Sequence, residues 1–170
     1  MSCRTWIDEH LERVSMIPAE LKKDLEARVA SAVTPREAAV DVMKVLQVHY
    51  GWLTDEGVEE AAGILGLSPL QVEELATFYE MIYRRPVGKK VIHLCDSISC
   101  WTMGCETLME HIAKRLGVEP GGTTADGMFT LLPCSCLGNC GNGPAMMLGD
   151  AMYERLTPDE AERILEKERG

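Results

Sequence analysis

Six of the seven cysteines fall between Cys95 and Cys140, and four of them form two close pairs. Cys95 and Cys100 have four residues between them, Cys136 and Cys140 have three, and 35 residues separate the pairs. A pair four or five apart on a loop can turn both sulfurs toward one centre. A fold that brings two such loops together presents four thiolates, the set a [2Fe–2S] cluster takes. Structural zinc favours two-residue spacing in paired knuckles, and neither gap matches it. A catalytic dithiol usually sits as CxxC, which is also absent. Free cysteine is often just a small buried apolar residue. That reading fits poorly with Cys136-Leu-Gly-Asn-Cys140-Gly-Asn-Gly-Pro144, because two thiols in a Gly/Asn-rich loop pack a core badly. The start, MSCRTWIDEHLERV, is acidic and has no apolar core, so neither a secretory nor a transit peptide is expected. Thiols kept in a reducing compartment point to metal or redox chemistry rather than structural disulfides.

The spacing also ranks the seven. Cys3, near the terminus and far from the rest, reads as a free thiol. Cys105 follows Cys100 by five and is a formal competitor, but it stands three before Leu108 and seven before Ile112, on the apolar face of a helix. Cys134 ends a strand, and one of Cys134 and Cys136 can be a ligand comfortably. Cys136 is favoured because the Gly138–Gly143 loop follows it directly. His93, two before Cys95, has the chemistry to replace a thiolate, yet with four cysteines at hand it reads as a strand residue. Asp96 reads first as a loop former, and Trp101 as a shield between the centre and water.

The rest of the chain supplies a frame for these loops. Residues 1–84 read as a helical bundle. Leu21, Leu25, Val29 and Val33 repeat at i+4. Thr34-Pro35-Arg36-Glu37 marks a fresh start, with Thr34 as N-cap and Glu37 as reciprocal cap. The helix that follows is expected to bury Val42, Val45, Leu46 and His49 or Tyr50, and to stop at Gly51. Thr54-Asp55-Glu56 opens a third helix closed by Gly66, and Ser68-Pro69-Leu70-Gln71 a fourth, QVEELATFYEMI. From residue 85 the period changes. Strands are expected at 91–94, 128–132, 145–148 and 152–154, with helices over 102–117 and after the capping box at Thr157. Residues 85–170 thus read as an α/β layer on a small mixed sheet, and the whole chain as α+β.

Charge and motif content exclude several functions. There are 17 Lys+Arg against 27 Asp+Glu, a net charge of −10, which is wrong for nucleic acid or anionic lipid. No apolar run approaches the ~20 residues of a membrane span, so direct insertion is not expected. There is no GxGxxG after a strand and no GxxxxGK[ST], and Gly141-Asn142-Gly143 belongs to the cysteine loop. The chain is therefore not expected to bind NADH or flavin alone.

Cys95-Asp-Ser-Ile-Ser-Cys100, Phe129-Thr-Leu-Leu-Pro133, Cys136-Leu-Gly-Asn-Cys140 and Gly143-Pro144-Ala-Met-Met147 closely resemble the NuoE family of bacterial NADH:quinone oxidoreductase (respiratory complex I), a thioredoxin-like [2Fe–2S] ferredoxin family. Ala76-Thr-Phe-Tyr79 is similar to the family's bundle signature. The resemblance runs from about residue 20 to the C-terminus. It implies a helical bundle followed by a thioredoxin-like domain with a four-stranded mixed sheet, and one [2Fe–2S] cluster bound by Cys95, Cys100, Cys136 and Cys140. It also implies an electron carrier without a complete substrate site of its own. FMN and NADH would sit on an adjoining flavoprotein subunit, and a large Fe–S subunit would be a further partner. The place implied is cytoplasmic, in the peripheral arm of an inner-membrane complex, with the helical bundle as docking element. The equivalent subunit of a soluble NAD-linked hydrogenase or formate dehydrogenase is the alternative within this chemistry, and a zinc-stabilised binding module the alternative outside it.

Two ferric ions, two sulfides and four thiolates sum to −2, and one electron makes −3. A helix start just after Cys100 and glycines 138, 141 and 143 would aim N–H groups at sulfur and raise the potential. Between residues 91 and 150 there are two basic and six acidic side chains, which oppose this. One carboxylate ~10 Å away costs the added electron ~0.4 to ~1.7 kcal/mol, or roughly 20–70 mV. A low potential is expected.

Overall fold

Proline and capping side chains cut the first half of the chain into helices. In the computed structural model, which describes residues 17–169, α1 spans Ala19–Ser31, α2 Pro35–Tyr50, α3 Asp55–Leu65 and α4 Pro69–Phe78. Cys3 lies outside the described residues. In α1 the expected stripe is cut short. Leu25 is buried, but the helix ends at Ser31 and Val33 is 90% exposed. The residue before a proline avoids helical dihedrals, and Thr34 is extended accordingly. Thr34 holds the N-cap position of α2 without a side-chain cap bond, while the Glu37 carboxylate accepts the Val33 N–H at 2.9 Å. Val42, Met43 and Leu46 are buried in α2, Val45 is half-buried and His49 is exposed. Half-buried Tyr50 donates its hydroxyl to Glu60 at 2.7 Å.

Thr54 caps α3, accepting the Gly57 N–H at 3.0 Å. Ser68 and Gln71 form the expected reciprocal box on α4. That helix stops at Phe78 rather than running on through Ile82. Tyr79 turns to extended backbone there, and the side chain of Gln47 on α2 holds the segment beyond. That side chain accepts the Tyr83 N–H at 2.6 Å and donates to the Met81 carbonyl at 3.0 Å. Leu25, Val42, Met43, Leu46, Leu53, Leu65 and Val72 form the core of this first compact unit, which ends at Pro86. Arg84 ties its loops to its helices through the Glu73 and Asp55 carboxylates and the Leu53 carbonyl.

The second unit begins at Val87 and is built on four strands, β1 Lys90–Cys95, β2 Phe129–Cys134, β3 Met146–Leu148 and β4 Ala151–Tyr153. Their order is β2-β1-β3-β4, with β1 parallel to β2 and antiparallel to β3, and β3 antiparallel to β4. This is the mixed four-stranded sheet the pattern predicts. β2 runs through Pro133 to Cys134, beyond its expected end. As an edge strand it tolerates a proline, whose missing donor is no loss on the open side. Between β1 and β2 the periodicity predicts a single helix over 102–117. There are two, α5 (Ile98–Thr102) and α6 (Cys105–Leu116), broken at Gly104 with φ 91°. A last helix, α7 (Pro158–Arg169), follows the Thr157–Glu160 box. Ile92, Leu94, Phe129, Leu131 and Met146 pack against Leu108 and Ile112 of α6 and Ala161 and Leu165 of α7.

Candidate metal centre

Parallel pairing of β1 with β2 puts Cys95 opposite Cys134, so both strands leave the sheet at the same end. From Cys95 the chain turns directly into α5, which carries Cys100. The sequence places Cys100 just before a helix, but it lies inside this short one and is buried. From Cys134 the chain enters the loop holding Cys136 and Cys140. Two bonds fasten the junction: the Cys95 N–H to the Ala145 carbonyl and the Asp96 N–H to the Cys134 carbonyl, both 3.0 Å. Asp96 thus extends the β1–β2 ladder by one backbone bond.

The Cys136 and Cys140 sulfurs are 3.5 Å apart and both are exposed. The Gly138 N–H points at the Cys136 sulfur at 3.4 Å, with Gly138 at φ 79°. Across the gap, the Cys95 thiol donates to the Ser135 carbonyl at 3.4 Å. Gly143 passes directly over Cys100, where a Cβ would stand 3.1 Å from the Cys100 sulfur and 3.0 Å from that of Met103. Close approach is therefore the reason for glycine at this position.

Cys105 and Cys134 are buried beside Cys95, Cys100 and Ala145 in one small apolar cluster. Cys134 is buried at the end of β2, whereas Cys136, two residues beyond the strand, is exposed. His93 is buried on β1, opposite Met147. Trp101, expected as a shield, is 51% exposed, as are Ile98 (70%) and Met103 (47%) on the same segment.

Surroundings separate the thiols. Burial pushes Cys100 up to about 11, helped by the nearby Cys95 thiol. Cys105 is also raised, by burial and then by the Asp96 carboxylate. Cys136 is lowered by the Gly138 N–H and by the Cys140 thiol, and Cys140 is raised in turn by Cys136. Of the exposed pair, Cys136 gives up its proton first.

This donor set suits an iron–sulfur cluster. Two thiolates on one tetrahedral metal, with bonds of ~2.3 Å, lie ~3.8 Å apart, close to the 3.5 Å of Cys136 and Cys140. The Gly138 N–H offers the hydrogen bond to sulfur that anionic clusters use. Among the described residues no three His, Cys, Asp or Glu side chains converge as the shell of a single ion. The sequence reading missed how the second loop is held. Asn139, Asn142 and Arg155 bond to one another and to Glu154. The asparagines carry a weak turn signal, whereas Arg155 carries none.

A family model described as thioredoxin-like [2Fe-2S] ferredoxin matches residues 25–169. The chain is 42% identical over 133 residues to the E subunit of NADH-quinone oxidoreductase from Escherichia coli (strain K12), covering 78% of this chain and 80% of that protein. The protein of the same name from Pseudomonas aeruginosa is 42% identical over 132 residues, with the same coverage. Among solved structures, NAD+-reducing [NiFe]-hydrogenase in the air-oxidised state superposes with a TM-score of 0.64 at 22% identity, over 75% of this chain and 22% of that one. The chain thus spans about a fifth of that hydrogenase chain, and the likeness is one of fold.

Proposed function

Since the chain belongs to the thioredoxin-like [2Fe-2S] ferredoxin family, we propose that it is an electron-transfer subunit of NADH:quinone oxidoreductase whose one [2Fe–2S] cluster is held by Cys95, Cys100, Cys136 and Cys140. The observation that carries the site assignment is the meeting of two loops: the Cys95 thiol donates to the Ser135 carbonyl at 3.4 Å, and Gly143 lies against the Cys100 sulfur. Such a cluster accepts and returns one electron at a time.

The chain's own residues fix where that happens. Burial of Cys95 and Cys100 anchors one side in the apolar cluster, while exposed Cys136 and Cys140 leave the other side at the surface. Electrons therefore have a short way out to a partner. The Gly138 N–H offers a hydrogen bond to sulfur and favours the more negative state.

The partner we propose is an adjoining flavoprotein subunit with FMN and the NADH site, with the large Fe–S subunit of the same complex as a further neighbour. Residues 85–170 would bear the cluster and residues 1–84 would dock. This chain would carry electrons without a complete substrate site. The place proposed is the cytoplasmic peripheral arm of an inner-membrane complex; among the described residues no helix is long and apolar enough to cross a membrane. Relatives at 42% identity bear the name of an NADH-quinone oxidoreductase component, which favours this complex over a soluble hydrogenase. The test is a visible spectrum of the anaerobically purified chain. A red-brown chromophore bleached by dithionite, with a rhombic EPR signal on reduction, is expected. A colourless protein holding one zinc per chain would end this reading.

A further inference from the structure

The loop that carries Cys136 and Cys140 is fastened to the end of β4 by a ring of side chains. Arg155 donates from Nη2 and Nε to the Asn142 side-chain carbonyl at 2.7 and 3.1 Å. Asn142 donates to the side-chain carbonyl of Asn139 at 3.0 Å, and Asn139 donates to the Glu154 carboxylate at 2.8 Å. The ring closes through the backbone, since Glu154 and Arg155 are neighbours and the Arg155 N–H bonds the Asn142 carbonyl at 2.8 Å.

Arg155 is also the one non-glycine among the described residues with a positive φ, 52°. That region disfavours residues with a Cβ and is entered freely by glycine. Strained backbone persists where surrounding bonds over-determine it, and an observed outlier is a reason to look for a role. Here both the backbone and the side chain of Arg155 are spent on Asn142, two residues from Cys140.

We infer that Arg155 is a positioning residue: through Asn142 and Asn139 it clamps the exposed cysteine loop, so that Cys136 and Cys140 keep the spacing an iron atom needs. The other cysteine pair needs no such device. Cys95 sits on a strand and Cys100 is buried, whereas Cys136 and Cys140 lie on a glycine-rich loop open to water. Without the clamp, the loop would sample arrangements in which one sulfur leaves its metal and a chelator gains access.

This inference rests on the cluster assignment proposed above, and the experiment separates the two. The full chain, purified anaerobically with its cluster, is mixed with excess iron chelator, and the loss of visible absorbance is timed for wild type, Arg155→Ala, Asn142→Ala, the double variant and Arg155→Lys. EPR line shapes are recorded alongside. Both single alanine variants should lose the cluster about five- to tenfold faster. The double variant should be no faster than the faster single, because both remove one link. Arg155→Lys, which keeps one donor, should recover much of the lifetime, and the alanine variants should show altered g-anisotropy. If Arg155→Ala assembles no cluster but Arg155→Lys does, the clamp is equally supported. Unchanged lifetimes, multiplied effects in the double variant, or loss of the cluster in Arg155→Lys while Asn142→Ala behaves as wild type would overturn it. A wild-type chain with no cluster would overturn the cluster assignment and the clamp together.

Discussion

Iron binds the thiolate, not the thiol, and the described cysteines differ in how readily each becomes one. Cys136 is favoured by an N–H aimed at its sulfur, whereas Cys100 and Cys105 are disfavoured by burial. A buried thiol ionises when a cation is there to take it, so burial makes Cys100 depend on the metal more than Cys136 does. Sequence spacing ranks Cys136 above Cys134; in the fold Cys134 belongs to β2 and is buried, while Cys136 lies exposed in the loop. Cys136→Ser should therefore lose or alter the EPR signal of the reduced protein, while Cys134→Ser and Cys105→Ser keep it. Loss of the signal in Cys134→Ser with its survival in Cys136→Ser would show that the ligand had been misassigned.

Among the elements, the helix starts were legible because capping depends on three or four consecutive residues. Yet two similar signals behave differently. Thr54 accepts the Gly57 N–H, whereas Thr34 makes no side-chain cap bond. Loss of an N-cap hydroxyl typically costs ~1 kcal/mol. Thr54→Ala should lower stability by about that amount in a denaturant titration, and Thr34→Ala by much less; equal losses would contradict the assignment. Helix ends were less legible. α4 stops at Phe78, and the segment past it is held by Gln47, 36 residues before Tyr83, a contact no local window contains. The break between α5 and α6 had a local mark, Gly104, but apolar periodicity alone runs straight through it.

Over the whole molecule the dominant quantity is the net charge of −10. An acidic protein resists a further electron, and salt screens that resistance with a Debye length of ~10 Å at ~0.1 M and ~3 Å at ~1 M. The reduction potential should therefore rise with ionic strength, by on the order of 10 mV between dilute buffer and ~0.5 M salt. A redox titration followed by EPR at the two salt levels checks the sign, and a fall would mean that local donors outweigh the acidic surface. The division near residue 85 was legible from composition, because cysteines and strand-like runs begin there. The parallel β1–β2 pairing could not be read directly, since it joins residues 39 apart, as Cys95 and Cys134 show.

By itself, the sequence determined where most elements start and that two close cysteine pairs stand on loops, because each rests on residues near one another in the chain. Only the tertiary structure decided how the pairs meet, and that Gly143 must be glycine because the loop lies against the Cys100 sulfur. It alone revealed Arg155 as the anchor of the exposed loop. Those facts depend on which strand ends lie side by side, and that is set by burying one common apolar core rather than by any local pattern.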